Sequence, residues 1–148
     1  MGGVVAGTAI LTPQHKGQLH TITLTINNQC NLSCPHCYLQ YRGEQQMISQ
    51  ATLEYLFRSP FQHLAIVGME PLANQKSAQL CSEIIQQTSA HGRTVSLITN
   101  GLNLTMLNES ALRHLSFIDI SLDGGERYYG TYRKGSLDKI KRGIAWLQ

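Results

Sequence analysis

No apolar run in this chain approaches the roughly 18 residues that a membrane-spanning helix requires. Residues 1–20 also lack the basic start and long apolar stretch of a secretory leader. The two absences together lead to the expectation of a soluble, cytoplasmic protein with no membrane partner. Charge is scarce as well: 14% of the 148 residues are charged and 42% are hydrophobic, a balance that excludes disordered, coiled-coil and collagen-like chains. The formal charge of +3, from twelve Lys and Arg against nine Asp and Glu, is too small by itself to imply a nucleic-acid partner. Half of the basic residues (Arg127, Arg133, Lys134, Lys139, Lys141 and Arg142) fall in the last stretch, and they read first as a solvated helix face. Cysteine is sparse, with four in all, yet three of them crowd into residues 30–37. Without a secretory leader, such crowding points to a metal rather than to a disulfide framework. The length suits one domain with its own core.

What is present is a regular alternation of short apolar strands and amphipathic helices. Residues 1–20 carry two small apolar pieces, Val4-Val5-Ala6 and Ala9-Ile10-Leu11, broken by Gly7 and Pro13, and are expected to form a hairpin or an ordered arm. Thr21 to Ile26 alternates β-branched and apolar residues as a strand does, and runs directly into Cys30. Ser49 can cap a helix carrying Leu53, Leu56 and Phe57, closed by Pro60 before a strand over His63 to Val67. A second helix presents Leu80, Cys81, Ile84 and Ile85 at helical spacing and stops at Gly92, ahead of a strand over Thr94 to Thr99. The pattern then predicts a third helix over about Leu104 to Leu115, a fourth strand over Phe117 to Leu122 and a fourth helix over Ser136 to Leu147. Strands alternating with helices at this spacing indicate an α/β fold with a parallel sheet, because each parallel return needs a crossover. Chemistry in such sheets gathers at the carboxyl ends of the strands. The loops at Cys30, Gly68, Thr99 and Ser121 are therefore expected along one rim.

The loop Cys30-Asn31-Leu32-Ser33-Cys34-Pro35-His36-Cys37 spaces its thiols by three and then two residues, so that one loop can wrap three sulfurs around a compact inorganic core. Structural zinc takes four closed ligands, whereas a four-iron cluster on three thiolates keeps one iron open. A zinc knuckle of Cys34 and Cys37, completed by Cys30 and either His36 or Cys81, is the alternative. No second Cys-x2-Cys or His pair supplies its other half, and Cys81 reads as an inert core cysteine.

Cys-x3-Cys-x2-Cys directly after a first strand, with Tyr38 following, resembles the cluster loop of radical S-adenosylmethionine enzymes, in particular the subgroup that matures peptides and sulfatases. The resemblance implies a [4Fe-4S] cluster on Cys30, Cys34 and Cys37, with S-adenosylmethionine chelating the fourth iron. It also implies reductive cleavage of that cofactor to a 5′-deoxyadenosyl radical, which takes a hydrogen atom from the substrate. His36 stands where family members tend to carry an aromatic residue, and it could stack over the cluster or donate to it. Gly68-Met69-Glu70-Pro71 resembles the Gly-Gly-Glu-Pro segment that receives the cofactor's amino group, with Met69 replacing the second glycine. Such a side chain is strained if the position needs positive φ. Asn100 and Ser121 match positions that hydrogen-bond the methionyl or ribose part, and Asp123 is expected only to shape the turn before Gly124. Arg133 matches an arginine that binds the cofactor carboxylate in the subgroup, although a surface arginine on a loop is otherwise simply solvated.

The resemblance covers residues 21–148 and implies a partial (β/α) barrel that normally has six strand-helix units. Four are legible, and the chain closes inside an apolar helix with no capping glycine, so the expectation is a core truncated after its fourth unit. A peptide or protein substrate and an external electron donor are the partners implied. A non-catalytic half-barrel, zinc-stabilised or a remnant, is the rival reading.

Overall fold

The computed structural model describes residues 8–10, 19–39 and 44–148. Its centre is a five-stranded sheet in sequence order, formed by β1 (Thr8–Ile10), β2 (Leu19–Thr25), β3 (Phe61–Val67), β4 (Thr94–Thr99) and β5 (Phe117–Ile120). The pairs β2–β3, β3–β4 and β4–β5 are parallel, and β1 runs antiparallel on β2 with Ala9 opposite Ile22. The expected four-stranded parallel sheet alternating with helices is therefore present as a partial α/β barrel. Of the amino-terminal arm, Thr8–Ile10 supplies the extra antiparallel strand, while residues 1–7 and 11–18 lie outside the described residues.

Register places like with like across the parallel strands. Leu24 faces Ile66, Leu64 faces Val95, and Leu97 faces Ile118, so one face of the sheet is continuous hydrocarbon. The helices α1 (Gln50–Arg58) and α2 (Gln75–Ala90) cover that face, burying Leu53, Leu56 and Phe57 from the first and Ala78, Cys81, Ile84 and Ile85 from the second. Fully burying one such Leu or Ile contributes about 1.5–3 kcal/mol. The other face carries Thr21, Thr23, Thr25, His63, Thr94 and Asp119 by the same alternation. His63 bridges Thr94 Oγ1 at 2.8 Å and Ser96 Oγ at 2.9 Å there.

Local signals set the helix ends. Ser49 accepts the Thr52 amide as the cap of α1, and Asn74 and Ser77 form a reciprocal capping box at the start of α2. Gly92 stops α2 at φ +69°, a left-handed conformation that glycine adopts without strain. The expected third helix is broken instead. A 3-10 turn (Leu104–Met106) is followed by extended Leu107, and Asn108 then caps the one-turn helix α3 (Glu109–Leu112) by accepting the Ser110 amide. A capping residue in the middle of an apolar-periodic stretch competes with helix continuation, and here it wins. The fourth strand also stops at Ile120 rather than Leu122.

The segment after Gly125, expected as a loop, is helical: α4 (Glu126–Tyr128) passes into a π-turn (Tyr129–Arg133) that ends on Lys134 at φ +58°. Ser136 then caps α5 (Leu137–Trp146) by accepting the Lys139 amide. Gly143 lets α5 approach the 3-10 turn, because a Cβ there would stand 3.0 Å from Leu104 Cδ1. Among the described residues no helix is long and apolar enough to cross a membrane.

Candidate functional site

The carboxyl ends of β2, β3 and β4 are tied together by one buried carboxylate. Glu70 is 1% exposed. Its Oε1 accepts the Leu72 amide at 2.9 Å and the Thr99 hydroxyl at 2.6 Å, and its Oε2 accepts the Asn100 amide at 2.7 Å. Its main-chain oxygen accepts Asn27 Nδ2 at 2.9 Å, which adds the end of β2 to the same knot. Burial raises the Glu70 pKa, against the lowering effect of these hydrogen bonds. The segment expected to bind a ligand through Glu70 thus spends that carboxylate on its own backbone. Gly68 packs closely, since a Cβ there would lie 3.4 Å from the Asn27 carbonyl oxygen. Met69 avoids the feared strain: Lys134 alone among the described non-glycine residues has positive φ. Pro71 is buried in the turn that follows.

Above this floor lies the cysteine loop. Cys30, Cys34 and Cys37 are free and half-buried, and all three line a cavity of about 700 Å³ together with Met69, Asn74 and Lys134. Leu32 donates its amide to Cys30 Sγ at 3.4 Å, and the Cys37 amide donates to the Cys34 carbonyl at 3.1 Å. Asn100 links floor to loop: its Nδ2 donates to Asn31 Oδ1 at 2.7 Å and lies 3.9 Å from Cys30 Sγ. Burial, ahead of neighbouring charges, raises the thiol pKa values of Cys30 and Cys34, so a metal entering here must displace protons.

The helical segment after Gly125 closes the far side. The His36 ring stacks on Tyr132 at 4.9 Å between centroids and 7° between planes, and Tyr128 stacks on Tyr132 in turn. Arg133 pairs with Asp123, and Cys34 Sγ points at the Arg133 carbonyl 3.8 Å away. Tyr129 is fully buried, with its hydroxyl donating to the Asn100 carbonyl at 3.4 Å.

The geometry discriminates between the two inorganic readings. A zinc knuckle needs His36 or Cys81 as its fourth ligand, but His36 is engaged by Asp123 and Tyr132, while Cys81 is 0% exposed on α2 with its thiol pKa pushed up to about 12 by burial. Among the described residues no three His, Cys, Asp or Glu side chains are grouped to hold a single ion. Three thiols spread around one cavity suit a polynuclear core, in which each sulfur meets a different iron. A profile of the radical SAM superfamily matches residues 24–148. The chain belongs to that family. Its cofactors are those of the family, a [4Fe-4S] cluster and S-adenosylmethionine, and the donor set fits the cluster.

The chain is also similar to a probable GTP 3′,8-cyclase of Methanococcus vannielii, 27% identical over 86% of this chain and 44% of that protein. A GTP 3′,8-cyclase of a Synechococcus species is 30% identical over 76% of this chain and 34% of the relative. A probable GTP 3′,8-cyclase of Methanococcus aeolicus is 23% identical over 88% and 46%. This radical SAM chain thus spans less than half the length of these relatives. None of the three is a peptide- or sulfatase-maturing enzyme, so the subgroup inferred from the cysteine loop finds no support among them.

Of the residues expected at the site, the three cysteines and Met69 line the cavity, Asn100 reaches to 3.9 Å from Cys30 Sγ, and Ser121 is held at the end of β5 by its amide, which donates to the Thr99 carbonyl at 2.9 Å. Tyr38 is 91% exposed. Arg133, expected to await a carboxylate, already has one in Asp123. Sequence reasoning missed Asn27, Thr99, Tyr129 and Tyr132, and it gave Asp123 only a turn to make. Thr99 and Asn27 flank motif residues and were visible by position, whereas a tyrosine in a supposed loop carries no signal of burial.

Proposed function

We propose that this chain carries the cluster- and cofactor-binding part of a radical SAM enzyme, acting on a small polar substrate of the purine nucleotide class. The observation that carries the first half is the placement of three free thiols on one cavity at the carboxyl rim of a parallel sheet. When bound, the cluster and S-adenosylmethionine supply a carbon radical that removes a hydrogen atom from substrate. The chain's own residues prepare the place. Cys30, Cys34 and Cys37 hold the cluster, and Asn100 fixes the cysteine loop to β4 through Asn31. Glu70 keeps the rim backbone in register without offering itself to a ligand. The backbone of Gly68 and Met69 and the side chain of Ser121 are the groups left to meet the cofactor.

The substrate class rests on the relatives, whose names state that they act on GTP. An external one-electron donor is part of this reading. Anaerobic reconstitution should load the chain with iron and sulfide, and S-adenosylmethionine should then perturb the paramagnetic resonance spectrum of the reduced cluster. Stoichiometric zinc without labile sulfide would sink the assignment. For the substrate, deuterated GTP should pass its label into 5′-deoxyadenosine in the presence of a reductant, and label transfer only from peptides would return the reading to the maturases.

A further inference from the structure

Turn chemistry does not account for the side chain of Asp123. Its Oδ2 accepts the Arg133 Nε–H and also meets His36 Nε2 at 3.1 Å. The two partners come from different parts of the chain. His36 sits inside the cysteine loop between Cys34 and Cys37, and Arg133 ends the π-turn that covers it. The Arg133 side chain is 11% exposed, against 36% for Asp123 and 35% for His36, so the carboxylate lies at the margin with the guanidinium on its inner side. The Arg133 hydrogen bond, first among several influences, holds the Asp123 carboxyl below its usual range.

Three other contacts converge on the same junction. His36 stacks on Tyr132, the Cys34 thiol faces the Arg133 carbonyl, and Gly135 admits Leu32 and Tyr129, because a Cβ there would stand 2.7 Å from Tyr129 Cε1 and 3.3 Å from Leu32 Cδ2. Lys134 takes up a left-handed conformation between them. A non-glycine residue is held so only where its surroundings over-determine the backbone.

We propose that Asp123 is a positioning residue that clasps the cysteine loop to the π-turn through one carboxylate oxygen, setting Cys34 and Cys37 before the cluster arrives. Its consequence for the cluster rests on the proposed function. The clasp itself is a property of the cofactor-free chain.

Amide hydrogen exchange on the full cofactor-free chain tests it with Asp123→Asn, which keeps the shape and removes the charge. Exchange should quicken roughly tenfold at Cys37 and across Tyr129–Arg133, the scale expected when a charge-assisted hydrogen bond is lost. Ile84 to Ile98 should not change, and Asp123→Glu should restore most of the protection. A uniform acceleration along the chain, or none at all in the Asn variant, overturns the clasp. In reconstituted protein, the Asn variant should alter the line shape of the reduced cluster in the presence of S-adenosylmethionine, and superimposable spectra would show that the clasp does not reach the site. If the parent chain takes up no iron while the local exchange effect is present, the clasp stands and the proposed activity falls. Iron uptake with a cofactor response but no local exchange effect gives the reverse.

Discussion

The two sides of the rim are built on opposite plans. On the floor, Asn27, Glu70, Thr99 and Asn100 are 3%, 1%, 2% and 6% exposed, and both oxygens of the Glu70 carboxylate have donors within the chain. The cysteine loop is half in solvent and keeps three thiols free, held from outside by a stack and a shared carboxylate at the margin. A carboxylate excluded from water must have its partners built in, because an unmet buried charge is far more costly than an exposed one. A loop that has to receive an inorganic core must leave its ligand atoms unspent. The floor is therefore finished before any ligand binds, and the loop is finished by it.

That contrast can be broken from either side. The largest effect is expected at the loop: Cys30→Ala, Cys34→Ala or Cys37→Ala should each take reconstituted iron from about four per chain to almost none, as iron and sulfide analysis would read. Retention of full iron by any one of them would remove that thiol from the ligand set. These changes should leave urea unfolding of the cofactor-free chain nearly unmoved, since the loop contributes little burial.

On the floor the order reverses. Glu70→Ala strands the Leu72 and Asn100 amides and the Thr99 hydroxyl, and should lower stability by about 3 kcal/mol or more, measured by urea unfolding. The pH dependence sharpens this. Burial raises the Glu70 carboxyl above its ordinary 4.5, so the folded chain holds that proton more tightly than the unfolded chain. Its contribution to stability is then fully present below the ordinary value and is lost as pH rises through the folded value. Unfolding midpoints of the parent should fall across that window relative to those of Glu70→Gln, and parallel curves would show that the carboxyl is not perturbed.

Smaller effects mark the boundary between the two sides. Gly101 sits at φ +79°, and a Cβ there would lie 2.8 Å from Ile120 Cγ2, so Gly101→Ala should destabilise by about 2 kcal/mol through strain and overpacking together. Cys81→Ala, on the buried face of α2, should lower stability by about 1 kcal/mol with iron content unchanged. Loss of iron in that variant would revive Cys81 as a ligand and blur the division between loop and core.

Much of the fold was legible because its signals are local. Ser49 and Ser136 act within a few residues of themselves, and the period-2 strands at Thr21 and Thr94 announce a face that register then aligns. The broken third helix was not legible, since Asn108 caps α3 inside a run whose apolar spacing continues on either side. The π-turn was missed for a different reason. Tyr129 and Tyr132 look like loop residues until Gly135 and Asn100 close around the first and His36 stacks on the second.

The site divides in the same way. The spacing of Cys30, Cys34 and Cys37 after a strand pointed by itself to a metal-binding loop, because thiol ligands within eight residues need only a short loop to reach a common core. The kind of metal centre came from the resemblance to a family that the profile match then showed. Which parts of the chain each of the two carboxylates joins was decided by tertiary structure alone. Glu70 lies beside the cysteine motif but is spent largely on the Thr99 hydroxyl and the Asn100 amide, which reach it only when β3 and β4 pair. Asp123 gains a role only when two segments separated in sequence meet at one oxygen. Cysteine spacing is a local property of the chain, whereas the partners of a carboxylate are set by contacts between residues far apart in sequence, which no stretch of residues carries by itself.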